Sequence, residues 1–170
     1  MSLSELISGV LQPVFDLMPQ VHSRPASNEL AVIDSLWSDP KTFRGPRLYI
    51  PALTHIQVFP ACEMPIDTGL QTLTSVDGKT VAVNATTILT VIDAVKLREI
   101  AGEEWDEYCS MRIRGIVCDI VTNHKWSQSL RQAAEFIEFD AAADLHEVGI
   151  VVHQVVLEDC SETIPLRLFQ

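Results

Sequence analysis

Apolar and polar residues alternate with a period of two on both sides of the dipeptide Asp77-Gly78. Successive side chains of a β-strand point to opposite faces, so this alternation predicts strands over 64–75 and 80–91, each with one apolar face. Asp-Gly between two such segments favours a two-residue type I′ turn, in which both central residues take positive φ. We therefore predict an antiparallel hairpin over 64–91, with Asp77 and Gly78 in its turn.

The length of that turn fixes the register of the hairpin. Five pairs share the face that we expect to lie against the core: Thr74 with Val81, Thr72 with Val83, Leu70 with Ala85, Ile66 with Leu89 and Met64 with Val91. The opposite face is more polar, and we expect it to be partly hydrated. A long hairpin with a hydrated face and an exposed edge is suited to pairing with another copy of itself.

Residues 2–18 carry apolar side chains at spacings of three and four, which predicts an amphipathic helix. Pro13 is expected to kink it, and Asp16 makes a transmembrane span unfavourable. Packing on protein and insertion into a membrane surface both fit this pattern. The candidates for membrane or subunit contact form its apolar stripe: Leu3, Leu6, Ile7, Val10, Leu11, Val14 and Phe15.

Beyond the hairpin the apolar period changes from two to about 3.6. The predicted helices cover 93–99, 103–123 and 127–148, with stops at Gly102 and Gly149. Short strands are predicted over 29–37, 47–50 and 55–59, with a turn at Asp39-Pro40, and a final buried strand over 150–157. These elements predict an α+β fold, in which helices cover an antiparallel-rich sheet built on the long hairpin. An N-terminal helix and connector (1–28) would precede this domain (29–160), and a tail (161–170) would follow it.

The composition is that of a globular protein, with 47% apolar residues among 170 and a formal net charge of -11. An acidic surface repels phosphates, so we expect no nucleic-acid partner. The four cysteines have no zinc-ligand spacing and favour a reducing compartment, although a long-range disulfide remains compatible with their number. Neither a cofactor nor a metal is expected.

Catalytic candidates are few. His124 lies near Ser127 and Ser129 in the sequence, and His146 and His153 lie near carboxylates. A single histidine near serines is more typical of a helix end or surface, and the carboxylates are better explained as a solvated helix face. Since the sequence also has no phosphate-binding loop, GxSxG or HExxH motif, we expect no enzymatic activity.

Four segments, in order, resemble motifs of the SPFH or band 7 family, which includes stomatin, prohibitin, flotillin and the HflK and HflC proteins. Residues 72–83 (TLTSVDGKTVAV) look like the family hairpin T-x-D-G-x-x-V-x-V, and 91–94 (VIDA) like the V-x-D that follows it. Residues 45–51 (GPRLYIP) are similar to the entry segment P-G-L-x-x-x-x-P, with the Gly-Pro order changed. Residues 145–159 (LHEVGIVVHQVVLED) resemble the strand G-I-x-V-x-x-V-x-I-x-D.

The resemblance implies a self-associating, non-enzymatic scaffold subunit that organises membrane or protein assemblies. It implies homo-oligomers in the cytoplasm, either free or peripheral at a membrane. The sequence departs from the family in its short N-terminal helix and in the lack of a long C-terminal coiled coil. Two other hypotheses therefore stay open: a shell or decoration protein, for example of a phage virion, and a soluble regulator of a membrane protease or channel.

Overall fold

The computed structural model of the protein describes residues 16–22, 26–123 and 130–162. The chain divides into two compact units, Met1–Cys62 and Glu63–Gln170, here called the N-terminal and C-terminal units. Both units contain antiparallel sheets, and the C-terminal unit contains the helices described below. This combination of helices with antiparallel sheets is compatible with the predicted α+β class.

The described residues of the N-terminal unit form five short strands. Strand β1 (Gln20–His22) pairs with β4 (Arg47–Tyr49). Strand β2 (Glu29–Ser35) lies between β3 (Ser38–Phe43) and β5 (Thr54–Pro60), antiparallel to both. The core of this unit comes from three of the strands: Leu30, Ala31, Val32, Phe43 and Phe59.

The predicted turn at Asp39-Pro40 is wrong, because both residues lie within β3. The chain turns three residues earlier, at Leu36 and Trp37, between the ends of β2 and β3. The β2–β3 register shifts near Pro40, and β3 is an edge strand. Proline is tolerated at an edge or a bulge because its missing N–H breaks no necessary ladder bond there.

The sheet of the C-terminal unit is centred on β8 (Thr80–Val91). On one side, β8 pairs antiparallel with β6 (Met64–Asp67) and β7 (Gln71–Thr74). On the other side it pairs with β9 (Ile150–Glu162) along its whole length from Val81. Strand β9 is longer than predicted and includes the first residues of the expected tail.

Three helices follow the hairpin in the part of the chain that the structure describes: α1 (Ala94–Ala101), α2 (Trp105–Asn123) and α3 (Leu130–His146). The carboxylate of Asp93 caps α1 by accepting the Lys96 N–H at 3.1 Å. Helix α3 packs along β9, and α2 packs on α3, β6 and β7. The apolar stripes of α2 and α3 are buried: Trp105, Cys109, Ile113, Val117, Ile120, Val121, Ile137, Ala141 and Leu145. Their spacing matches the apolar period of about 3.6 residues that predicted these helices.

The turn between β7 and β8 is not the predicted type I′ turn. The Gly78 N–H donates to the Ser75 carbonyl, and the Ser75 N–H donates to the Lys79 carbonyl, both at 2.9 Å. Gly78 has φ 76°, whereas no non-glycine residue in the described ranges has positive φ, so Asp77 cannot fit type I′. The loop is a three-residue type I turn closed by a glycine bulge.

This longer turn shifts the β7–β8 register by one residue. Thr74 pairs with Thr80 and Leu73 with Val81, so the predicted pairings of Thr74 and Thr72 are wrong. A one-residue shift moves side chains to the opposite face. Thr72 and Thr74 are consequently exposed, and Leu70 is 66% exposed instead of buried.

The chain between β6 and β7 adds a second offset. Met64 pairs with Leu89 and Ile66 with Thr87, two residues from the predicted partners, so these pairings are also wrong. The predicted core positions on β8 are nevertheless buried: Val81, Val83, Ala85, Leu89 and Val91. The alternation of β8 therefore predicted its buried face, while the assumed turn gave the wrong partners.

Candidate assembly surfaces

Helix α2 engages the outer edge of the β6–β7 side of the sheet. The Ser110 hydroxyl donates to the Asp67 carbonyl at 3.2 Å, and the Arg114 Nε donates to the Thr68 carbonyl. Pro65 in β6 has no N–H to offer a partner strand. Strand addition is therefore disfavoured at the hairpin edge that the sequence suggested for pairing with another copy.

Strand β9 forms the opposite edge of the sheet. It pairs with β8 alone among the described strands. The Val155 N–H points away from β8 and donates to the Glu138 carboxylate of α3 at 3.2 Å. Pairing with β8 is continuous from Val155 to Leu157, so the Leu157 N–H points in the same outward direction. A 13-residue edge strand of this kind is a template for another strand.

Side-chain contacts fix β9 on β8 across the outer face of the sheet. His153 Nε2 lies 2.9 Å from the Thr90 hydroxyl, and the Thr86 hydroxyl donates to Glu158 at 2.7 Å. Lys79, beside the hairpin turn, forms an ion pair of 3.0 Å with Glu162 at the end of β9. These contacts hold the edge strand in a defined register on both sides of its centre.

The outward face of α3 carries an exposed aromatic side chain. Phe139 is 74% exposed, on the side of the helix away from the buried Ile137, Ala141 and Leu145. Ala143 lies four residues further, on the same face, and is also exposed. A small residue beside an exposed phenylalanine lets another helix approach closely.

An ion pair and apolar packing join α2 to α3 and support these surfaces. The Arg112 guanidinium forms a bidentate ion pair with Asp144, with Nε 2.8 Å from Oδ2 and Nη2 on Oδ1. This pairing raises the pKa of the Arg112 guanidinium above its ordinary value. Helix α3 is thus attached to α2 by a charged pair as well as by its apolar stripe.

The described residues offer little for catalysis. A groove of about 320 Å³ lies between β6 and α2, and its lining includes Asp67, Asp106, Ser110 and Arg114. Ser110 and Arg114 are engaged with backbone carbonyls, so neither acts there as an activated nucleophile or a free cation. The described ranges also contain no group of three histidine, cysteine or acidic side chains that could hold a metal.

The candidates from the sequence have different outcomes. Asp77 and Gly78 lie in the β7–β8 loop, where Ser75 donates to the Asp77 carboxylate. The apolar stripe from Leu3 to Phe15 lies outside the described residues, as do His124, Ser127 and Ser129. The Glu138 contact and the exposure of Phe139 were not predicted, because a helical pattern does not identify the tertiary partners of outward-facing residues.

No helix in the described ranges is long and apolar enough to cross a membrane. Comparison of the sequence with models of known protein families gives no match. Comparison with curated protein sequences gives no match either.

Proposed function

We propose that this protein is a non-enzymatic, self-associating scaffold subunit of the SPFH or band 7 type, which organises membrane or protein assemblies. Two segments of the sequence resemblance meet in the C-terminal unit, and this supports the proposal. The Gly149 carbonyl, before β9, accepts the N–H groups of Ile92 and Asp93, after β8, at 2.9 and 3.0 Å. The V-x-D and G-I-x-V motifs are therefore in direct contact.

The outer edge of β9, which pairs with no second strand in the described ranges, is the observation that carries the proposal. The opposite edge is engaged by α2 and includes Pro65, whereas β9 presents outward N–H groups at Val155 and Leu157. Glu138 covers the first of these, which leaves the edge beyond it for a second copy. Two β9 strands that meet about a two-fold axis would join their sheets through main-chain hydrogen bonds.

A scaffold also needs a second contact, because a two-fold β9 interface closes after two subunits. The outward face of α3 provides it through Phe139 and Ala143. Aromatic residues often act as the anchors of protein interfaces, and helices with small residues pack closely. One subunit with both surfaces can join β9-linked dimers into larger assemblies.

Sedimentation velocity over a range of protein concentrations tests this proposal. The account predicts species of two or more subunits whose fraction rises with concentration. Phe139→Ser should remove species larger than the dimer and leave the unfolding free energy within about 0.5 kcal/mol, since the side chain is exposed. Ile100→Ser, which removes an exposed apolar side chain from α1, is the control and should behave like the parent. A monomer at every concentration would contradict the proposal.

A further inference from the structure

We propose that the hairpin tip Leu36-Trp37 of the N-terminal unit inserts into the interfacial layer of a lipid bilayer. Strand β2 ends at Ser35 and β3 begins at Ser38, so these two residues form the whole loop. Leu36 is 74% exposed and Trp37 is 77% exposed. Two large apolar side chains therefore project at the apex of the β2–β3 hairpin.

Local hydrogen bonds hold the tip in this form. The hydroxyl groups of Ser35 and Ser38 are 2.7 Å apart across the base of the loop. The Leu36 N–H donates to the Leu53 carbonyl at 3.3 Å. Because these hydrogen bonds fix the backbone on both sides of the loop, Leu36 and Trp37 are already exposed in the folded hairpin. Binding would then need little ordering of the loop.

The same end of the unit carries two more exposed apolar side chains, Leu17 and Met18. The Ala52 N–H donates to the Asp16 carbonyl at 2.9 Å, and the next residue, Leu53, accepts the Leu36 N–H. This chain of backbone contacts brings 16–18 close to the 36–37 loop.

The small size of the tip favours a bilayer over a second protein. A stable protein interface buries roughly 800 Å² on each partner, whereas a large aromatic side chain buries only about 150 to 250 Å². Two loop residues and their two apolar neighbours fall short of that area. A bilayer needs no complementary surface, and the indole of Trp37 suits the interface because it is apolar with a single N–H donor.

The charges near the tip indicate which lipids it would bind. Asp34 lies two residues before the tip, and Asp16 is brought near it by the Ala52 contact, whereas residues 26–40 contain no lysine or arginine. Attraction to anionic headgroups is therefore not the source of affinity. Binding should depend on apolar contact, which salt does not screen.

This inference rests on the proposed function for its role, since it names a membrane as what the scaffold organises. The test is cosedimentation of the full chain with phosphatidylcholine vesicles, with and without an anionic lipid, at low and high salt. The parent should bind neutral vesicles, and salt should change that binding by no more than about twofold. The anionic lipid should weaken binding at low salt, because its headgroups repel Asp16 and Asp34, and high salt should reduce this effect. Leu36→Ser/Trp37→Ser should weaken binding at least about tenfold, because it removes the two side chains whose apolar surface is buried in the bilayer.

The matched control is Leu70→Ser/Val76→Ser, which removes two exposed apolar side chains from the C-terminal unit and should bind like the parent. Three results would overturn the inference: no binding by the parent, equal binding by the tip variant, or binding only to anionic vesicles. Sedimentation velocity without vesicles separates this inference from the proposed function. The tip variant should keep the parent's mass, and a drop to monomer would identify the tip as a subunit contact instead. A parent that binds vesicles but stays monomeric would refute the scaffold and leave the inference standing.

Discussion

Gly149→Ala should destabilise the C-terminal unit strongly. Gly149 joins α3 to β9 with φ 88°, and an added Cβ would lie 2.5 Å from the Asp93 carbonyl oxygen and 2.8 Å from the Asp93 Cβ. Left-handed backbone costs an L-residue roughly 1 to 2 kcal/mol, and forced overpacking typically costs about 1 to 3 kcal/mol. The sum is about 2 to 5 kcal/mol, and the displaced Asp93 is also the cap of α1.

Two other glycines separate these contributions. Gly78 has φ 76° and no atom within 4 Å of an added Cβ, so Gly78→Ala should cost only the backbone part, about 1 to 2 kcal/mol. Gly115 lies within α2 and also has nothing within 4 Å. Gly115→Ala should stabilise the unit by about 0.5 to 1 kcal/mol, because alanine is the better helix former.

Urea unfolding followed by circular dichroism at 222 nm measures these differences. The described helices α1 to α3 belong to the C-terminal unit, so the loss of this signal includes the unfolding of that unit. The midpoints should fall in the order Gly115→Ala, parent, Gly78→Ala, Gly149→Ala, with little change in the slope. If Gly149→Ala lost no more stability than Gly78→Ala, the close approach to Asp93 would not constrain the fold.

Two further predictions concern α2. Burial, with a smaller contribution from Asp106, raises the pKa of the Cys109 thiol to about 12, so iodoacetamide at pH 8 should modify the exposed Cys62 and not Cys109, as peptide mass spectrometry can check. The pKa of the Cys109 thiol in the unfolded chain is about 9.0, so the stability that the buried neutral thiol contributes should be lost as the pH rises from 9.0 towards 12. Rapid labelling of Cys109 in the folded protein would contradict its burial. A double-mutant cycle on Arg112→Ala and Asp144→Ala should give a coupling of up to about 1 kcal/mol, because water screens this partly exposed pair, and a coupling above about 2 kcal/mol would contradict that reasoning.

The elements that depend on local periodicity could be predicted from the sequence. The buried face of β8 and the apolar stripe of α2 follow from repeats of two and about 3.6 residues. Asp93 and Gly149 were correctly assigned to a helix start and a helix stop. Such signals lie within a few residues of the position that they determine.

The hairpin register could not be predicted from Asp77-Gly78 alone. A type I′ turn and a type I turn with a glycine bulge both place Gly78 at positive φ, and they differ at Asp77 and in loop length. In the structure, the Ser75 hydroxyl donates to the Asp77 carboxylate, and the Ser75 N–H donates to the Lys79 carbonyl. These contacts belong to the three-residue loop, whereas the predicted register assumed the two-residue type I′ turn.

The candidate surfaces depend on tertiary contacts that a linear pattern does not contain. Leu36-Trp37 reads as the continuation of strand β2, whereas the chain reverses there. The β9 edge is a candidate because β9 has no second partner among the described strands, and because the hydrogen bond from the Val155 N–H to Glu138 shows that this N–H points away from β8. Neither the 36–37 tip nor the β9 edge can be recognised without the positions of the neighbouring strands and helices.

The central claim, self-association through the β9 edge, is tested most directly by comparing Leu157→Pro with Leu157→Ala in sedimentation velocity. Both variants lose the same half-buried side chain, but only proline removes the outward N–H and places its ring at the edge, without breaking a bond to β8. The account predicts that the alanine variant associates like the parent, while the proline variant, still folded by circular dichroism, loses the β9-linked dimer. A folded proline variant that associates as well as the alanine variant would contradict the account.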